Sequence, residues 1–201
     1  MKKMIVFGLV GLLLPLILYA QEKIEAPVWT VGDKWVFSHG VVREVTETDQ
    51  NSYTVKGGFG RADKEYSAVV FEKGTLKRLY AFEGNKRYKY ISLFKIGFNF
   101  PLSIGKTWKD RVASSSSPST NLTYFSENYA VLGWEDVMVK AGKFRTVKVE
   151  YRATLESGNV SGKSWYWYSP DAKFLVKHQF EDSRIWGPAD DHELVSFELK
   201  K

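Results

Sequence analysis

Phe144-Arg145-Thr146-Val147-Lys148-Val149-Glu150-Tyr151-Arg152-Ala153-Thr154-Leu155 decides the fold class. Val147, Val149, Tyr151, Ala153 and Leu155 share one parity, while Thr146, Lys148, Glu150, Arg152 and Thr154 share the other. A period of two sends these sets to opposite sides of an extended chain. One face is apolar and one polar, the pattern of an antiparallel strand with a single buried side. Val195, Phe197 and Leu199 alternate with Ser196, Glu198 and Lys200 in the same way.

Working outward, short strand-like runs alternate with turn residues along the chain. Lys34–Thr48 is one, broken near His39-Gly40, and Asp49-Gln50-Asn51-Ser52 turns it into Tyr53–Phe59. Glu65–Phe71 follows, and then Leu76–Phe82 and Arg87–Leu93 flank Glu83-Gly84-Asn85, a hairpin-type connection. Residues 94–105, with Pro101, read as a crossing between two halves, and Ser114–Thr120 as a loop. Asn121–Tyr129, Ala130–Val139, Phe144–Leu155, Lys163–Tyr168, Phe174–Phe180 and Glu193–Lys200 complete the set. Seven Trp, eleven Tyr and thirteen Phe bring aromatics to 15%, which suits pleated, half-buried surfaces. The expectation is an all-β chain with at most one short helix. Its strands form a single curved antiparallel sheet, as an open half-barrel or a sandwich. Val31-Gly32-Asp33-Lys34-Trp35 and Ile104-Gly105-Lys106-Thr107-Trp108 share apolar-Gly-x-x-Trp, each a turn suited to launching a strand.

The N-terminus carries an address. Lys2 and Lys3 precede Ile5–Leu18, a run without a charge, and Ala20 follows. This is the form of a cleaved signal peptide over 1–20, and the apolar run is short for a bilayer span of roughly 20 residues. The expected location is periplasmic or secreted, with residues 21–201 as one β-rich domain, in halves near 27–100 and 101–201. With no cysteine, neither a lipid-anchored N-terminus nor a disulfide is expected. Losing Lys2 and Lys3 from 29 basic residues leaves 27 against 23 acids, or +4. Those charges are dispersed, so no nucleic-acid partner is expected.

Catalytic motifs are weak throughout. Gly105-Lys106-Thr107 lacks the upstream Gly of a phosphate loop, since position 100 is Phe. Gly58-Phe59-Gly60 lacks the third Gly of a dinucleotide fingerprint at Asp63. Glu135/Asp136 and Glu181/Asp182 are adjacent pairs, which diverge on a strand rather than meeting across a sugar. Asp190, Asp191, His192 and Glu193 form the densest metal-ligand cluster, but neighbours on a strand face opposite ways, and no cofactor is expected. Trp165 and Trp167 would share one face of a strand and Tyr166 and Tyr168 the other. Two exposed indoles so spaced would stack on sugar rings, whereas buried ones would fill the core. Trp134, Tyr151, Trp165 and Trp167 are therefore the candidate ligand-contacting residues.

Two stretches carry a resemblance. Glu135-Asp136-Val137-Met138-Val139-Lys140-Ala141-Gly142-Lys143-Phe144 is similar to an "acid-x-Val-x-Val-Pro-Ala-Gly-x-Phe" turn, with Lys140 where Pro is usual. Trp165-Tyr166-Trp167-Tyr168-Ser169-Pro170 is similar to a "Trp-Tyr-x-Pro" strand end. Together they resemble a group of uncharacterised exported bacterial proteins related in fold to the lipoprotein-localisation factors. The resemblance is strongest over 100–200. It implies an open antiparallel half-barrel around an apolar cavity and no catalytic residues. Export, aromatic-rich strands and the absence of catalytic groups make a lipid, another apolar ligand or an envelope protein the expected partner. A polysaccharide held by the Trp165–Tyr168 strand is the alternative.

Overall fold

The structure is a computed structural model that describes residues 23–59, 66–84, 86–88, 98–114, 123–158, 161–182 and 191–201. The expected signal peptide, the Ser114–Thr120 loop beyond Ser114, and Asp190 lie outside them. Twelve strands and no helix are present among the described residues. They are β1 (Lys34–Phe37), β2 (Val42–Thr48), β3 (Ser52–Phe59), β4 (Tyr66–Glu72), β5 (Arg78–Glu83) and β6 (Lys86–Tyr88). The second half contributes β7 (Thr107–Ser114), β8 (Thr123–Val139), β9 (Gly142–Leu155), β10 (Ser161–Ser169), β11 (Phe174–Asp182) and β12 (His192–Glu198).

All twelve belong to one antiparallel sheet, in the order β6-β5-β4-β3-β2-β1-β12-β11-β10-β9-β8-β7. This is an up-and-down meander drawn into a ring and left open between β6 and β7. Because β12 returns to pair with β1, first and last strands meet at mid-sheet. The two flanks of the opening still approach each other, for Lys77 Nζ lies 3.8 Å from Asp110 Oδ2. An open curved sheet was expected, and the sandwich alternative is replaced by this single layer.

One end of the sheet is closed by its own leading segments. Odd-numbered strands start at that end. Trp29 packs there against the rings of Trp35, Tyr53, Phe71 and Phe174, with centroids 5.3–5.5 Å apart. Phe98 and Phe100, from the crossing into β7, sit 5.2 Å from Tyr168. Ile24 and Leu102 exchange backbone hydrogen bonds of 2.8 Å, tying the two leading segments together. The indoles are also held by direction: Trp29 Nε1 donates to Lys173 O at 2.9 Å and Trp35 Nε1 to Ala172 O at 2.7 Å. A buried indole needs such an acceptor, and the β10–β11 turn supplies both.

Several sequence expectations are corrected. The strands expected on either side of Tyr129/Ala130 are continuous in β8 from Thr123 to Val139; the irregularity near the expected break is a bulge at Val131/Gly133. Thr107–Ser114 is an edge strand that alternation alone did not reveal, because an edge needs no continuous apolar face. The tip of the β8–β9 hairpin runs past the rest of the sheet and reaches β12, where Ala141 N donates to Leu194 O at 3.0 Å. Phe144 lies 5.7 Å from Phe197 at that contact, so the Ala141-Gly142 turn docks as well as reverses the chain. No helix of the described residues is long and apolar enough to cross a membrane.

Candidate functional site

Above the aromatic plug the concave face turns polar. Glu127 is 1% exposed, and its carboxylate accepts the Tyr129 hydroxyl at 2.9 Å and the Tyr151 hydroxyl at 2.8 Å. Register explains the convergence: Tyr129 lies opposite Tyr151, and Glu127 opposite Ala153, so both strands send the same parity inward.

The tyrosines belong to a longer belt that crosses six strands. Trp108 stacks on Tyr129 at 4.8 Å, Tyr129 lies 4.9 Å from Tyr151, and Tyr151 lies 5.8 Å from Tyr166. Tyr166 then stacks on His178 at 4.3 Å, His178 meets His192 at 5.0 Å, and His192 stacks on His39 at 4.3 Å. All three histidines of the chain are thus gathered at one end of the belt. Two arginines join from the opposite wall. Arg43 is buried, its guanidinium 5.0 Å from the Phe37 ring and 5.5 Å from that of Phe174. Arg78 buries its Nε within the field of Glu127 and the three tyrosines.

Burial sets the protonation of these groups. It pushes the phenols of Tyr129 and Tyr151 well above their usual value, with the Glu127 charge adding to the effect, and it raises Tyr166 as well. They are neutral donors at any physiological pH. Burial lowers Arg43 to about 9, helped by repulsion from Arg78, which still leaves it cationic at neutrality. His178 is pushed well below 6.5 by burial, then by His192, Arg43 and His39, so it is a neutral imidazole. Two phenol protons of the belt are spent on Glu127, and Arg43 and Arg78 bring positive charge beside that network.

Of the sequence candidates, only Tyr151 and His192 fall in this belt. Trp165 and Trp167 share the outer face, as their spacing required. Trp167 is 2% exposed, donates to Glu135 Oε2 at 3.1 Å, and has Lys148 and Lys177 at 4.7 and 4.8 Å from its ring. Lys148 and Lys163 flank Trp165 at 5.5 and 4.6 Å. The indoles are sandwiched by ammonium groups rather than laid bare. Trp134 is half-buried, with the Arg145 guanidinium 4.8 Å from its ring. Asp191, His192 and Glu193 separate: Asp191 Oδ1 accepts the Phe180 N–H at 2.8 Å, His192 turns inward, and Glu193 N donates to Ser38 Oγ at 3.1 Å. Among the described residues no group of three His, Cys, Asp or Glu is arranged to hold a metal ion. The belt escaped sequence reading because its members are spread from His39 to His192 and meet only through strand register.

Three solved structures are similar. A protein assigned as exported, with a YmcC-like fold, from Bacteroides fragilis is 14% identical with a TM-score of 0.51, covering 88% of this chain and 99% of its own. A protein assigned as a lipoprotein from Parabacteroides distasonis is 13% identical with a TM-score of 0.46, over 89% of this chain and 100% of its own. The hypothetical lipoprotein YmcC from Escherichia coli is 8% identical with a TM-score of 0.46, over 89% and 90%. The first of these establishes the fold, an open antiparallel sheet of the YmcC-like kind, and the expected resemblance holds at that level. No protein-family profile and no curated protein matches the chain.

Proposed function

We propose that this chain is an exported, non-enzymatic binding protein whose curved sheet takes an amphipathic ligand by its polar group. The belt around Glu127 is the observation that carries the reading. A sheet interior needs apolar volume, and ionisable groups buried in this number concentrate where a polar partner is received. The plug closes one end, so the ligand approaches from the other. A cleft of about 220 Å³ opens at the β11–β12 seam among Ser38, Lys177, His178, Asp191, His192 and Glu193. Arg43 and Arg78 would meet the head group, and the flanking rings its apolar part. Export is supported by the Ile5–Leu18 run and Ala20. A carbohydrate module built on Trp165 and Trp167 has less support, since lysines occupy both indoles.

The test uses protein recovered from the envelope of the expressing cell and stripped of lipid. It is then incubated with vesicles of phosphatidylethanolamine and phosphatidylglycerol and examined by native mass spectrometry. A retained adduct of one lipid mass, weakened in Arg78→Met, is the expected result. Bare protein at every lipid ratio would remove the proposal. N-terminal sequencing of the same sample reports whether residues 1–20 have been cut away.

A further inference from the structure

Among the described residues the shortest ladder of the sheet is β11–β12, with β1–β2 and β5–β6 each one pair longer. β11 and β12 pair only through Lys177↔Glu193 and His178↔His192 among the described residues, whereas β9 and β10 pair from Ser161↔Thr154 through Tyr168↔Val147. Beyond that short ladder β12 leaves β11, and the hairpin tip takes over at the Ala141–Leu194 hydrogen bond. The start of β12 is otherwise tied by Ser38 N to Glu193 O at 2.9 Å, by Glu193 N to Ser38 Oγ, and by Phe180 N to Asp191 Oδ1. This ladder lies beside the β12–β1 pairing that joins the two halves of the ring, and a histidine pair sits in it with a third ring stacked on it.

We infer that His178, stacked among His39 and His192, is a proton-sensitive latch on the β11–β12 seam, which holds it shut when neutral and releases it in acid. His178 is 6% exposed, and its Nε2 is buried without a hydrogen-bond partner. It is packed against Tyr166, Phe180 and His192, so little of the ring meets solvent while the seam is shut. Among the described residues, the groups facing the trio are Arg43 from β2, Tyr166 from β10, Lys177 from β11, Asp191 and Glu193 beside His192, and Ser38 from the β1–β2 turn. Asp191 is engaged by the Phe180 amide, and Glu193 has the parity opposite to His192 on β12. The charges acting on His178 are cationic: His192, Arg43 and His39. Protonation of the buried His178 ring therefore adds like charge beside Arg43, and opening relieves it. The latch does not depend on what the sheet binds.

A histidine that is neutral while shut and titrates near its ordinary pKa of about 6.5 once open raises the opening equilibrium up to about tenfold per pH unit below that value. Hydrogen exchange of the full chain, corrected for intrinsic rates, reads this directly. From pH ~7.5 to ~5.0 the Ser38, Phe180 and Glu193 amides should lose protection on the order of 30-fold, while the β3–β4 ladder holds. In His178→Phe, which keeps the stack, the loss should be flattened. Equal protection at both pH values, a loss shared with β3–β4, or an unchanged loss in His178→Phe would each overturn the latch. If that variant fails to fold, an NMR titration of the wild-type rings decides: His178 must titrate below the ordinary value, and a midpoint at or above it refutes the proposal.

Discussion

Replacing Glu127 by Leu should be among the more damaging single changes in the protein, and the structure sets its size. The carboxylate is the acceptor for two buried hydroxyls, at 2.9 and 2.8 Å, and lies in the surroundings of Arg78. Leucine leaves both Tyr129 and Tyr151 without that acceptor, and each buried unsatisfied group costs about 1–3 kcal/mol. Some of this is offset by the apolar volume gained, so a net loss of about 3 kcal/mol is expected, or about 6–12 °C in Tm for a domain of this length. Urea unfolding followed by indole fluorescence, with the slope unchanged, measures it. The decisive comparison is the triple variant Glu127→Leu, Tyr129→Phe, Tyr151→Phe. Removing every member of the network should recover most of the loss, because paired polar groups replaced together cost far less than one removed alone. If Glu127→Leu falls within about 0.5 kcal/mol of wild type, or the triple variant is no better than the single, the carboxylate and the two hydroxyls are not a coupled unit.

Stability should also fall steeply in alkali. Tyr129, Tyr151, Tyr166 and Tyr168 are all raised by burial, so their contribution is complete below the unfolded pKa of about 10 and is lost as pH rises above it. Arg43, lowered to about 9, works in the opposite direction, leaving a loss of at most about 3 kcal/mol between about pH 10 and 11. Phenolate absorbance should report these four ionising only as the chain unfolds, and smooth titration of every tyrosine in the folded protein would contradict it. At Gly57, with φ +131°, an added Cβ would stand 2.0 Å from the Val42 carbonyl oxygen. Gly57→Ala should cost about 2–3 kcal/mol, and Gly74→Ala, with positive φ but open space, about 1. Equal melting temperatures for the two variants would show that the β2–β3 contact is not rigid.

What could be read from the sequence follows from how local each signal is. β9 announced itself because its buried parity, Val147 to Ala153, is continuous over seven residues and needs no partner to be recognised. The break near His39-Gly40 was legible for the same reason, since a turn is a property of adjacent residues. β7 was not legible: Lys109, Asp110 and Arg111 interrupt its pattern, and only its pairing with β8 makes it a strand. That Trp165 and Trp167 share a face followed from parity, but which face it is did not, and the burial of Trp167 depends on Glu135, Lys148 and Lys177, which reach it from other strands. The belt is the extreme case, because each member lies on a different strand or turn and the sequence separations carry no period.

The echo between Gly32 and Gly105 shows how far a local motif can be trusted. Gly32 N donates to Val45 O while Val45 N donates to Asp33 O; Gly105 N donates to Val131 O while Val131 N donates to Lys106 O. In both turns the residue after Gly donates back three positions, Asp33 to Thr30 and Lys106 to Ser103. Two launches of one kind therefore start the two six-strand halves, and their leading segments meet at Ile24 and Leu102. The indoles that follow have different fates. β1 lies at mid-sheet, so Trp35 is enclosed in the plug, whereas β7 is an edge, so Trp108 stays half-buried and stacks on Tyr129. The motif dictates the turn, and the position of its strand in the ring dictates what the tryptophan does. A sheet built from two such runs has two special places: the gap between β6 and β7, and the short β11–β12 ladder beside the junction where β12 meets β1. The histidines gather at the second of them, next to the point where the chain closes on its own beginning.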